Sequence, residues 1–409
     1  MTIMIRSRSF QVLAVAIGIA GSLSGQDSDP TRQRLQAIMP TKADVERFLR
    51  GKQGPEQLSQ NRGWVFDADL GWVLYDSIRS DGVGKSKTFY HYENDGARKV
   101  VNSPERTCRI HTYGDSFTHG DQVSDGETWQ EHLAAHLQEP IRNYGVGGYS
   151  VYQAYRRMLK VEEKHPVRYV ILNIYDDDHY RNLDSLRSIR FGRRIPDGFP
   201  LPHLRVDVAK NRCDKAENLL RKPEDAYQLC DEEFVYRTFK DDPILRLALA
   251  VADKKTLTPK VVEPIAASFG ILREQLPDAD PARQLEIVHT KAALFATRNV
   301  IGWTEEYMAQ TGKKLLIVLS FNRRNMQAAL EGKPRFDQEL LDWLKDKPYP
   351  VIDMRDAFRK DFSQFKGDAA SYLDRYYNGH HSPAGNFFTA WALKNAMVKW
   401  LDPAPLPYR

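Results

Sequence analysis

Apolar residues in this chain fall into two patterns: short runs, continuous in RYVILNIY, and longer stretches where they recur every three or four positions. The runs are CRIHTY (108–113), IRNY (141–144), RYVILNIY (168–175), KKLLIVLS (313–320) and YPVIDM (349–354). Each is too short for a helix, and a continuous apolar run suits a strand covered on both faces of a parallel sheet. Helical periodicity follows over Glu127–Leu137 and Val151–Val161, and again at the end over Pro383–Trp400, where Pro383 occupies a helix start that tolerates a missing N–H. Strand and helix alternating in this way are βαβ units. The predicted fold class is α/β, a three-layer doubly wound parallel sheet.

One interval breaks the rhythm. Leu183 to Gly312 separates the third run from the fourth, far longer than a simple crossover. Most of it reads as helix, for example Pro243–Lys254 and Pro281–Ala309, so a helical insertion is expected over about 183–312. It leaves from the carboxyl end of a strand, the edge where open α/β sheets bind ligands, and is expected to roof a site there. Upstream, a helix is expected around Lys42–Leu49. FDADLGWVLYDS (66–77) and FYHYENDGAR (89–98) read as short strands and turns. The expected organisation is a leader over 1–25, an extension over 26–105 packed beside the main domain, and the main domain over 106–402.

The leader reading rests on Arg6 and Arg8, an apolar run from Phe10 to Ala20, and small residues Ser22, Ser24 and Gly25, the layout of a secretory signal peptide. The run is short for a membrane span. The expected location is secreted or periplasmic, with no stable span after leader removal. The chain of 409 residues has 42% hydrophobic and 28% charged residues, which excludes large-scale disorder. Net charge is +5, and loss of Arg6 and Arg8 with the leader leaves +3. That is too little to imply nucleic acid, and no basic run with interleaved aromatics occurs. Of three cysteines, Cys108 reads as a buried core residue, and Cys213 and Cys230 are close enough in sequence for an exported chain to oxidise them to a disulfide. None has zinc-ligand spacing, and no cofactor or metal is expected.

The chemistry centres on Gly114-Asp115-Ser116-Phe117-Thr118-His119-Gly120. A strand, a glycine turn, Ser and then a helix would expose the Ser116 hydroxyl beside backbone N–H groups. Taken alone, Gly-Asp-Ser is a common turn. Further blocks in the same order make it specific. The chain resembles the SGNH/GDSL hydrolase family, with a flavodoxin-like fold, in GDSFTHG (114–120), NYGVGGYS (143–150), NIYDDDHYRN (173–182) and HHSPAGN (380–386). DADLGW (67–72) and ETWQEHL (127–133) are similar to a subgroup. The resemblance covers roughly 66–182 and 350–400 and leaves the insertion uncovered. It implies Ser116 as nucleophile, His380 as base, and Gly148 with a block-three side chain as oxyanion donors, with Asp115 among the residues lining the site. His381 is a second candidate for the base, and the spacing to Gly385 favours His380.

Two positions depart from the family pattern. Its block-three Asn falls on Asp177, where an ionised carboxylate would repel an oxyanion. A protonated Asp177 would donate instead, and a different register would bring in Asn173 or Asn182. The family's triad Asp falls on Asn378 or Tyr377. Asn378 would orient His380 without stabilising an imidazolium, with Asp374 an alternative and Asp353 or Asp356 remoter ones. Four arginines, Arg187, Arg190, Arg193 and Arg194, open the insertion as either a solvated face or a grip on an acidic saccharide. The expected activity is that of an exported serine esterase acting on a small-molecule or saccharide ester. The alternatives are an O-acyltransferase on a saccharide and an impaired carbohydrate-binding protein.

Overall fold

The computed structural model describes residues 29–49, 63–195, 198–277 and 279–409. All five apolar runs form strands of one sheet: β1 (Ile110–Tyr113), β2 (Arg142–Asn143), β3 (Tyr169–Tyr175), β4 (Lys314–Ser320) and β5 (Val351–Asp353). Every pairing is parallel, and the order is β2-β1-β3-β4-β5. β3 is central and buried over six of its seven residues. It pairs with β1 from Ile110↔Tyr169 to Tyr113↔Leu172 and with β4 along its whole length. The strands after β1 are added first on one side of it and then, from β3 on, on the other, so the carboxyl ends of β1 and β3 border the crevice where doubly wound sheets carry their sites.

Helices flank the sheet. The first is α1 (Ser116–His119), one turn after β1, and the next is α2 (Trp129–Leu137), capped by Thr128. α3 (Val151–Lys164) starts at a reciprocal cap in which the Ser150 side chain accepts from Gln153 N–H and Gln153 returns to Ser150 N–H. After β3 come two short helices, α4 (Asp178–Arg181) and α5 (Arg187–Phe191). The 31-residue α6 (Pro281–Thr311) packs against α3 and leads into β4. The closing α7 (Pro383–Trp400) packs against α2. One apolar core runs from Leu35 to Leu401.

The long connection between β3 and β4 is mainly helical, as expected, with further helices at Glu232–Phe239, Pro243–Ala252 and Pro259–Ser268. It also holds an antiparallel hairpin, His203–Asp207 with Arg212–Ala216, which the apolar pattern did not announce. The second strand, RCDKA, is largely exposed and carries no apolar alternation. Its turn is set instead by Asn211 at φ 48° and by Asp207, which accepts from Lys210 N–H.

Upstream lie the expected helix Lys42–Leu49, a further one at Pro30–Ile38, and two small hairpins, Trp64–Asp67 with Gly71–Leu74 and Ser77–Arg79 with Thr88–Tyr90. Leu70 and Trp72 of the first hairpin pack with Val146, Tyr149 and Leu201 in a small second core. Cys108, just before β1, and Cys213 and Cys230 in the connection after β3 are free thiols, and the 213–230 disulfide is not formed. Among the described residues no helix is long and apolar enough to cross a membrane. The leader segment lies outside the described residues.

Candidate active site

β1 ends in Gly114, whose φ of 154° and surroundings admit no side chain: a Cβ there would lie 2.1 Å from Thr118 Oγ1 and 2.5 Å from the Asn173 carbonyl. The chain turns over this point and places Ser116 as the first residue of α1. Asp115 caps the turn, accepting from Phe117 N–H at 2.9 Å, and its other oxygen lies 3.1 Å from Ser116 Oγ. The β2 turn comes close above: a Cβ on Gly145 would sit 2.3 Å from His119 N. Gly148 holds φ 83°, and its carbonyl accepts from Arg187. Trp72 Nε1 donates to the Gly147 carbonyl at 3.3 Å, so the upstream hairpin props this turn.

His380 arrives from the far end of the chain, 264 positions after Ser116, on a tight turn at Gly379 (φ 83°) just before α7. Its Nε2 lies 2.9 Å from Ser116 Oγ. His380 is half-buried and Ser116 is 5% exposed, so the pair opens to the surface through the histidine side. Phe117 tilts against His380 at 5.2 Å and stacks on Tyr175 at 4.4 Å. His381 points away: it is buried against Phe117 and Tyr377, and burial with the neighbouring His380 charge pushes its pKa down to about 3. That ring is not positioned as the base.

The partner of His380 Nδ1 is one that sequence reasoning missed. Gln122 Oε1 lies 3.1 Å from Nδ1 and accepts from the His380 backbone N–H at 2.7 Å. Gln122 is fixed in turn, donating through Nε2 to the Asp81 carbonyl at 3.1 Å and through its N–H to Tyr90 Oη at 2.8 Å, with φ 72°. Asn378 makes no hydrogen bond to the ring among the described residues, because the ring nitrogen is already faced by Gln122 across the chain. Asp374 is on the surface, 2.6 Å from Arg323. Asp353 caps the following helix and pairs with Arg335, and Asp356 faces Arg359. None of these carboxylates reaches the imidazole.

Asp177 is not the acid that a donor role requires. Arg190 approaches it at 2.7 and 3.1 Å and Arg181 at 2.9 Å. Burial opposes its ionisation, but the two guanidinium groups outweigh burial and hold the carboxyl well below the usual range. Asn173 donates to Thr118 Oγ1 at 3.0 Å, and Asn182 is bound to Tyr152 N–H and Thr297, so both serve packing. Asp176 turns to the β4 side, accepting from Asn322 N–H at 3.0 Å and Asn325 at 2.6 Å. Of the three consecutive aspartates, Asp176 alone turns away, while Asp177 and Asp178 share Arg181. Arg187 and Arg190 are neither a solvated face nor an open grip, since both pair with buried Asp184 beneath the site. Asp115 and Asp178 are buried too, and burial pushes both above the ordinary range despite Arg181.

His119, one turn after Ser116, is fully buried, bonded to Tyr92 Oη at 2.6 Å and to the Asp121 side chain. Burial lowers its pKa to about 4 even with that carboxylate beside it. It packs under the turn and does not face the opening.

The fold and this site define a doubly wound α/β protein with a Ser–His pair at its topological switch point. No family model matches the chain, and no curated protein matches it. Among solved structures it is similar to LAE5, an α/β hydrolase enzyme from the metagenome of Lake Arreo, Spain, at 9% identity and TM-score 0.33, covering 72% of this chain and 97% of that one. It is also similar to a lipolytic protein of the G-D-S-L family from Desulfitobacterium hafniense, at 13% identity and TM-score 0.20, covering 66% and 99%. At these scores neither likeness bears on what the chain does.

Proposed function

We propose that this protein is a serine hydrolase that cleaves a carboxylic ester through an acyl-enzyme on Ser116. The observation that carries the reading is the 2.9 Å contact between Ser116 Oγ and His380 Nε2 at the switch-point crevice. In this reading His380 takes the hydroxyl proton as Ser116 attacks, returns it to the leaving alkoxide, and then activates water against the acyl group. Gln122 holds the ring so that Nε2 faces the nucleophile. The reading extends to an exported enzyme acting on a saccharide ester, supported by the leader pattern of residues 1–25 and by the resemblance in the sequence blocks.

The test is hydrolysis of activated acetyl esters by the mature chain beside Ser116→Ala and His380→Ala, with fluorophosphonate labelling of Ser116. Turnover and labelling are expected only with both residues present. Equal rates for wild type and Ser116→Ala would end this reading. The neutral amide on Nδ1 favours one second reading, a binding protein with an impaired site. Ligand binding without any Ser116 labelling would be its signature.

A further inference from the structure

Three stretches far apart in sequence meet at one guanidinium. Arg181 closes α4, directly after β3. Its Nη1 donates to Asp178 at 2.7 Å, to the Tyr149 carbonyl at 3.1 Å and to Asp115 at 3.3 Å, and its Nε donates to Asp177 at 2.9 Å. The Asp115 oxygen it touches is the one that lies 3.1 Å from Ser116 Oγ. Tyr149 follows Gly148, so the same guanidinium spans the nucleophile turn and the glycine turn. It stands 5.4 Å over Tyr175, whose ring stacks on Phe117 beside Ser116 and His380. The side chain is 12% exposed, and its hydrogen bonds among the described residues all run through Nε and Nη1, which leaves the second terminal nitrogen, Nη2, to donate elsewhere.

We infer that Arg181 is a catalytic residue whose Nη2 donates to the oxyanion formed on the acyl carbon at Ser116, in the place that Asp177 is unable to fill. This rests on the acyl-enzyme reading and adds its electrophile. When Ser116 Oγ bonds to the carbonyl carbon, its proton passes to His380 Nε2 and the C=O electron pair moves onto oxygen. That oxygen accepts from Arg181 Nη2–H, and Arg181 stays protonated throughout. As the pair returns to re-form C=O, the alkoxide leaves and takes the proton from His380. A fixed cation at a largely desolvated site stabilises such a charge far more than it would in water. The aspartates around Arg181 fix its fork, so Nη2 needs no reorganisation when the charge develops. Asp177 thus takes part as the residue that positions Arg181.

The test compares wild type, Arg181→Gln and Arg181→Lys on an activated acetate and on the matching thionoacetate, in which sulfur, a poorer acceptor, replaces the carbonyl oxygen. Loss of one oxyanion donor is expected to lower kcat on the acetate by about 10²–10³. KM should change little. The thionoester should lose less, so that the oxygen-to-sulfur rate ratio falls by roughly tenfold or more. Added guanidinium ion should restore part of the Arg181→Gln rate. Proportional loss on both substrates with no rescue would reduce Arg181 to a structural tie and overturn the inference. Where Arg181→Gln fails to fold, Arg181→Lys keeps the charge without the fork, and an unchanged ratio in that variant overturns it equally. A wild type with no Ser116-dependent turnover fails at an earlier point: it removes the acyl-enzyme reading, and the role of Arg181 falls with it.

Discussion

Gln122 shows how a single residue can alter what the proposed Ser116–His380 pair is able to do. An amide oxygen on Nδ1 orients His380, but it supplies none of the charge that stabilises an imidazolium. The same oxygen accepts from the His380 backbone N–H, so a carboxylate there would keep both contacts to His380 and add charge, while giving up the donation to the Asp81 carbonyl. Gln122→Glu is therefore expected to raise kcat on an activated acetate by about tenfold or more, and Gln122→Ala to lower it by about 10²-fold. Steady-state kinetics on the three proteins checks this, and a Gln122→Glu enzyme no faster than wild type would contradict it. Ser116, His380 and Gly148 were singled out in the sequence because blocks of neighbouring residues resembling one family mark them, and the fold brings Ser116 and His380 together. Gln122 was not legible: it meets His380 from 258 positions away, and its selection depends on a left-handed backbone at a loop that no local pattern reveals.

At the scale of elements, two buried carboxylates tie the sheet together with opposite pH dependence. Glu162 near the end of α3 accepts from Tyr113 Oη at 2.8 Å, Lys313 Nζ at 2.8 Å and Val167 N–H at 3.0 Å, and contacts His111 Nδ1 at 2.8 Å. Burial opposes its charge, but these partners bring its pKa down from 4.5 to about 2. A depressed carboxylate stabilises the fold above its unfolded value, and that stability is lost as pH falls from about 4.5 to about 2. It is worth about 3 kcal/mol. Glu162→Gln is expected to lose about that much at pH 7 and to flatten the acid limb, as urea unfolding at pH 7 and pH 3 would show. Asp176, joining the end of β3 to the segment after β4, is raised by burial from 3.8 to about 6. Its sign is reversed: the folded state keeps the proton longer, so stability falls as pH rises from about 4 to about 6. Asp176→Asn retains a neutral acceptor for Asn322 N–H. It is expected to gain about 2–3 kcal/mol at pH 8 and almost nothing at pH 4, measured by the same unfolding.

Over the whole molecule, the segments outside the sheet converge on the site rather than decorating it. The upstream hairpin seats Trp72 under the glycine turn, with Leu70, Val146, Tyr149 and Leu201 around it. Trp72 is 1% exposed. Trp72→Ala is expected to cost about 3–5 kcal/mol of stability and, at temperatures where the variant stays folded, to lower kcat more than it raises KM. A thermal melt and kinetics on one preparation test both parts. The connection after β3 contributes Arg187 and Arg190 in the same way, packing charge beneath the turn through Asp184 and Asp177.

The sequence by itself determined the parallel sheet and its five strands, because apolar runs are local and the sheet must bury both faces; it pointed to Ser116 and His380 as the proposed nucleophile and base only through the resemblance of the blocks around them. The tertiary structure alone decided the electrostatics. Whether Asp177 is charged, what faces His380 Nδ1 and where Arg181 points depend on residues brought together from opposite ends of the chain. Charge and dielectric at a point are sums over everything nearby in space, and neighbours in sequence are only a small part of that sum.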